Sequence, residues 1–331
     1  MKIIITGLLI LSSFSMVNAQ LKPFSFVKKI ELPGDRKWDY LKIDNENQRL
    51  FVSHQDRVHI IDLRTDKPIG MIGDLKGVHG VALAGDLNKG YISNGTDNSI
   101  TVFDFHTLKI VKTLSVPGKK ADAILYDPFS KQVFVFNNGS GNVVAINAVT
   151  DQVAGVIEVG GAPEFAVSDG KGTIYNNNED SHEVTVIDAK TLKVKNRFSL
   201  LPAEVATGLA IDVENNRLFS GCRGNKTLVV LDALSGKIIQ TLPIGGGVDA
   251  VVYDKDARLV MASNGEGNVT IIKQESADHY SVAQTLITKP GCKTMAGSAT
   301  THSIYLSGAD YESDGKTVAP GTFGVFVYSM R

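Results

Sequence analysis

Ala123-Ile124-Leu125-Tyr126, Val133 to Phe136, Val143 to Ile146 and Val153 to Val159 are four apolar runs separated by polar turns, and Asn138-Gly139 sits in the second of those turns. Runs this short, bounded by Asn, Gly and Asp, read as β-strands joined by hairpins. The same block recurs along the chain. Its third strands end at Asp62, Asp104, Asn147, Asp188, Asp232, Lys273 and Tyr328, spaced 42, 43, 41, 44, 41 and 55 residues apart. A period of this length built only of strands predicts an all-β fold, a seven-bladed β-propeller of four-stranded antiparallel blades.

The two ends of the repeat are complementary. Phe24 to Gly34 ends in Leu32-Pro33-Gly34 and matches the fourth strand of blade two, which ends in Val116-Pro117-Gly118. The last block, Lys293 to Met330, has three strands and no fourth. The N-terminal strand around Phe24 to Ile30 is therefore expected to pair with the strand around Val325 to Tyr328, closing the ring and hiding two sheet edges.

Residues 1–19 read as a cleavable signal peptide: Lys2, an apolar run from Ile3 to Leu11, and the exit Val17-Asn18-Ala19. A periplasmic or secreted location is expected, with residues 20–331 forming one propeller domain. That portion has 312 residues, 33 basic and 35 acidic side chains, hence a net charge of −2. Near-neutral charge argues against gripping a polyphosphate backbone as the main task. No later stretch approaches the roughly 20 apolar residues of a membrane helix, so no span is expected. A monomer is expected.

Cys222 and Cys292 are the only cysteines. Blade six separates them, which disfavours a disulfide, and Cys222 reads as a small buried residue more readily than as a thiolate activated by Arg223. Asp62, Asp104, Asp188 and Asp232 open third-to-fourth turns of the type Asp-x-x-Thr or Ser-Gly, where a carboxylate accepts backbone N–H bonds. Those aspartates read as structural.

Register across the repeats also locates a candidate site. The residue opening each inner strand is Asp39, His79, Asp122, Glu164, Thr207, Asp249 or Thr294, all polar, and equal register places them in one ring at a mouth of the central channel. Carboxylates gathered around an opening raise one another's pKa or recruit a cation, and oxygen ligands with one imidazole suit a divalent metal. His79, Asp122, Glu164 and Asp249 are the metal-ligand candidates. A second ring follows from the second-to-third turns, at His54, Asn94, Asn138, Asn178, Cys222, Asn264 and the region of Ala309. The asparagines are ordinary turn chemistry, whereas His54-Gln55, Asn178-Glu179-Asp180 and Cys222-Arg223 depart from it. Together the two rings predict a pocket in which His79, His54 and Arg223 are catalytic candidates. Asp39, Asp122, Glu164, Glu179, Asp249 and Glu266 are candidate ligand-binding residues, with Trp38 and Tyr40 beside them. Asp310 to Phe323 adds about a dozen residues to blade seven, as a lid or as a tolerated insertion.

Gly90-Tyr91-Ile92-Ser93-Asn94, Ile100-Thr101-Val102-Phe103-Asp104 and Thr107-Leu108-Lys109 resemble the YVTN-repeat propellers, and the chain from Phe24 to Met330 resembles the YncE-like periplasmic proteins. The resemblance implies a seven-bladed ring and export. It does not name an activity, because members and neighbours include DNA-binding proteins, lactonase-like proteins, dehydrogenase subunits and streptogramin lyase. Two main readings follow. One is a module that binds a small molecule, with or without a divalent cation, or a protein partner at the channel mouth. The other is a hydrolase or lyase, lactonase-like or streptogramin-lyase-like, with a pocket histidine as base beside a metal that polarises the substrate. A third, single-stranded nucleic-acid binding, draws on Arg36-Lys37 and Lys119-Lys120 with Trp38 and Tyr40 for stacking, and the acidic rim counts against it.

Overall fold

The computed structural model describes residues 22–35 and 37–331; residues 1–21, which include the expected signal peptide of residues 1–19, and Arg36 lie outside the described residues. Seven four-stranded antiparallel sheets follow one another around a ring. Blade one is typical, with strands Trp38–Asp44, Arg49–His54, Arg57–Asp62 and Lys67–Ile72 running in order from the channel outwards. Blades two to six repeat it over residues 78–115, 121–158, 163–199, 206–243 and 248–287. The Asp turns behave as the sequence predicts: Asp62, Asp104, Asp188 and Asp232 accept backbone N–H bonds from Arg64, Thr107, Thr191 and Ser235 at 2.7–2.8 Å.

Blade seven is shared between the ends of the chain. Phe24–Glu31 pairs with Gly324–Met330, Phe24 opposite Met330 and Ile30 opposite Val325. A bulge between Phe26 and Lys28 interrupts this pairing. Bulges interrupt the pairing of the outermost strand in the six other blades as well, so the N-terminal strand is a fourth strand in detail as well as in position. The bulge has a physical role. Phe24 and Ile30 are six residues apart and would share one face of a regular strand, but one extra residue exchanges the faces. Phe24 accordingly packs with Leu259, Ile271 and Tyr328 between blades six and seven. Ile30 packs with Leu41, Leu50 and Val325 between blades seven and one.

The core consists of seven such clusters of buried apolar residues, one at each blade-to-blade interface. Polar ties cross the closing seam. The Phe24 N–H donates to Gln284 Oε1 at 2.8 Å and Gln284 Nε2 donates to the Phe24 carbonyl at 2.9 Å, while Lys28 pairs with Asp66 of blade one. Both cysteines are buried free thiols, and burial pushes Cys222 up to about 11 and Cys292 to about 12, so neither is a thiolate at neutral pH. Among the described residues no helix is long and apolar enough to cross a membrane.

Ile30→Ala removes an anchor of the seam and is expected to cost about 2–5 kcal/mol. The cost is read as a fall in urea midpoint at unchanged slope. A loss below about 0.5 kcal/mol would show that the N-terminal strand lies outside the cooperative unit.

Candidate functional site at the channel mouth

The inner strands deliver most of the predicted ring to one mouth. His79 Nδ1 lies 2.5 Å from Asp39 Oδ2 and 3.3 Å from Asp122 Oδ1, so blades one, two and three meet through an imidazole between two carboxylates. Ligand atoms of the three residues lie within 4.8 Å of one another. Gly95 makes this possible: a Cβ there would meet His79 Nε2 at 2.7 Å. Farther round, Glu164 Oε1 accepts from Asn138 Nδ2 at 2.9 Å and Glu164 Oε2 from the Tyr40 hydroxyl at 3.3 Å. Tyr40 belongs to blade one and Glu164 to blade four, which are not neighbours, so Tyr40 crosses the channel. Its ring stacks edge-on against Phe165 at 5.3 Å.

The seventh ring position is a correction. Met295 pairs with Leu306 as Val81 pairs with Ile92; each partner lies two residues before the end of its strand, Gly308 or Asn94. Lys293, two residues before Met295, therefore stands where His79 stands. Its amine lies 2.8 Å from Asp249 Oδ2. Thr294 is buried, with its hydroxyl 2.9 Å from that of Ser307. Thr207 is buried as well and donates to the Val248 carbonyl at 2.8 Å.

The second ring needs a shift of one residue. Asn94, Asn178 and Asn264 are buried within the blades, where their amides hold turns: Asn94 Nδ2 donates to Thr101, Asn178 Nδ2 to the Gly160 carbonyl and Asn264 Nδ2 to Asn268. The following residue is the one that reaches the mouth. Asn138 follows Asn137 and bonds Glu164. Glu179 and Arg223 follow Asn178 and Cys222, and they form an ion pair that also approaches Asp249 at 4.0 Å. Glu266 stands one residue farther on, exposed, with Lys226 and Asn268 as partners, and no contact joins it to the cluster.

His54 is not brought to the mouth. It is buried at the seam of blades seven and one, its ring 4.0 Å from that of Phe323 and its Nδ1 3.1 Å from His59 Nε2. Gly34, at φ +121°, lies over it with no room for a Cβ. Its candidacy as a catalytic base falls on this burial. Trp38 occupies the register of buried Val78, with its ring 5.4 Å from Phe323 and 6.4 Å from Tyr311.

Electrostatics follow from crowding. Burial pushes Glu164 up to about 8, and the charges of Asp122, Asp249 and Asp39 add to it, so it is largely protonated at neutral pH. Burial raises Asp122, and Asp39 adds to this against the opposing pull of His79. Burial alone would lower His79, but its bond to Asp39 and the charge of Asp122 hold it above its ordinary value. Lys293 is likewise raised against burial by Asp249 and Asp39.

A cavity of about 640 Å³ opens beside Asp39 and His79. Lys37, Trp38, Gln55 and Lys293 line it, as do Tyr311, Lys316 and Val318. The last three come from the segment that breaks the repeat. That segment is an ordered hairpin bridged between Tyr311 and Val318. Lys293 and Lys316 line this cavity though the sequence reading does not assign them to it, and Tyr311 lines it from the insertion that the same reading sets apart.

No protein-family model matches this chain, and no curated protein matches it. A chain in a solved structure, the crystal structure of a mitotic checkpoint complex, is similar at 12% identity with a TM-score of 0.75, over 98% of each chain. That likeness establishes the fold and nothing finer. β-Propellers commonly mediate binding of ligands or partners.

Two pH effects follow. Glu164 moves from an ordinary 4.5 to about 8 on folding, so its contribution to stability is complete below pH 4.5 and is lost as pH rises through 8. Glu164→Gln should flatten urea midpoints across that window. His59 moves the other way, from 6.5 to about 4, chiefly by burial and then by the neighbouring His54. Its contribution is complete above pH 6.5 and is lost as pH falls towards 4, and His59→Gln should remove that slope. Slopes unchanged in either variant would assign the pH dependence to other groups.

Proposed function

We propose that this chain is an exported, YncE-like propeller that binds a small molecule at the channel mouth, where Asp39, His79 and Asp122 hold a divalent cation. The observation that carries the reading is the convergence of one imidazole and two carboxylates within 4.8 Å at the edge of a cavity. The donor set fits. Two carboxylate oxygens with one imidazole nitrogen suit a first-row divalent metal, and open positions would remain for a ligand. The cation would take the place of the proton that His79 Nδ1 now shares with its carboxylates, so binding has to compete with that proton. Export rests on the sequence pattern of residues 1–19, and the YncE-like assignment rests on the repeat segments around Gly90 to Lys109.

A second reading, acid–base turnover of the bound molecule, is favoured by the His79–Asp39 contact and by a Glu164 that keeps its proton near neutrality. In that reading His79 accepts a proton, Asp39 orients its ring, and Glu164 supplies a proton from across the mouth. Arg223 has no part in it, because Glu179 and Asp249 already take its charge.

Calorimetric titration of the metal-stripped protein with Zn²⁺, Mn²⁺ and Ca²⁺ tests the first reading. One site is expected, with affinity rising with pH as His79 loses its proton. Asp122→Asn or His79→Ala should weaken it at least about tenfold, whereas Glu266→Gln should leave it unchanged. Binding that survives both ligand substitutions would place the cation elsewhere.

A further inference from the structure

The chemical class of the ligand can be read from the cavity wall, given the reading that this mouth binds a small molecule. We propose that the cavity takes an anionic aromatic molecule, with its ring in the angle between Trp38 and Tyr311 and its charged group at Lys37 and Lys316.

The sign of the charge is decided by which groups are already engaged. The rim looks acidic, yet each of its carboxylates has a partner: Asp39 and Asp122 face His79, with the Lys120 amine 3.7 Å from Asp122 as a second cation, Asp249 faces Lys293, and Glu179 faces Arg223. Glu164 accepts hydrogen bonds from Asn138 and Tyr40 and is largely protonated at neutral pH. Lys37 and Lys316 line the same cavity, and among the described residues neither has an ion-pair partner. The uncompensated charge facing the cavity is therefore positive. A divalent cation at Asp39, His79 and Asp122 would add to it, attracting the same kind of group.

The shape is decided by the aromatic pair. Trp38 and Tyr311 have ring centroids 6.4 Å apart at an interplanar angle of 44°. Both line the cavity, and Tyr311 is 39% exposed. Two tilted rings make an apolar corner suited to a third flat ring, and a cavity of about 640 Å³ lies in the range that encloses small organic ligands. The corner is held in place from behind. The Glu312 N–H donates to the Thr317 carbonyl at 2.8 Å, and Asp314 accepts from the N–H groups of Lys316 and Thr317 at 2.8 Å. At its base, Asp310 pairs with Lys289 and the Gly321 N–H donates to Asp35 at 2.7 Å. The insertion is thus a braced wall that adds one aromatic and one cation to a ring otherwise made of repeats.

Phenyl phosphate and benzoate, with benzyl alcohol, benzyltrimethylammonium and inorganic phosphate as controls, separate the possibilities. The readouts are calorimetry and the emission of Trp38, the chain's single tryptophan. The two aromatic anions are expected to bind and to change Trp38 emission. The neutral and cationic aromatics and inorganic phosphate should bind at least about tenfold more weakly, each lacking one of the two recognition elements. Lys316→Gln and Tyr311→Ala should each weaken binding of phenyl phosphate by about tenfold, with unchanged melting temperature and unchanged affinity for the metal alone. Tighter binding of benzyltrimethylammonium, no binding of either anion, or full affinity in Lys316→Gln would overturn the assignment. Metal titration of the same samples reads the cation site independently, so failure of this inference is distinguishable from failure of the proposal on which it rests.

Discussion

Burial between blades is the constraint on which everything else rests. No sheet of this protein has an apolar core of its own; each of the seven buried clusters is assembled from two neighbouring blades. A ring of such sheets is stable only if every face has a partner, which makes closure the decisive event. The closing strand must offer one apolar face to blade six and the other to blade one. A regular strand would put Phe24 and Ile30 on the same side, and the bulge at Val27 separates them.

Closure then fixes the mouth. Because the inner strands pack around one axis in equal register, the residue that opens each strand is aimed at a common opening and contributes little to the interblade cores. Such positions are free to carry charge, and five of the seven are carboxylates or lysine, with His79 a sixth titratable group. Tyr40 reaches across the channel to Glu164, which brings opposite sides of the ring into one hydrogen-bonded group. Seven blades make a channel narrow enough for that reach.

How far this was legible in the sequence depended on whether the information was periodic. Strand order, blade count and closure follow from the repeat, and so does the meeting of Asp39, His79 and Asp122. The failures occur where periodicity is broken or where a side chain turns inward. Blade seven ends its second strand in Gly308 where four of the other six blades have Asn, so the register marker is missing and Thr294 stands in for Lys293. The turn asparagines look like rim residues, yet their amides are spent on side chains and carbonyls that hold the turns, and the next residue does the reaching. His54 holds the register of Asn94, which is buried in the blade and not at the rim, and Gly34 at positive φ lies over it as Gly118 lies over Asn137.

The electrostatics argue that the mouth is shaped for something besides stability. A carboxyl group moved from 4.5 to about 8 has been placed where its ionised form is disfavoured by several kcal/mol, first by burial and then by three neighbouring acids. Glutamine at that position would keep the bond to Tyr40 or Asn138 without the repulsion, so packing and polar satisfaction do not call for the acid. Local conflict of this kind, in a fold whose remaining positions agree with one another, is the signature expected of a binding or reacting surface. Both departures from the repeat in blade seven, Lys293 and the hairpin of residues 310–323, fall beside this conflict. Lys293 offsets part of the acidic field, and the hairpin closes one side of the cavity. The scaffold is repetitive where it must be stable, and it becomes irregular at the mouth.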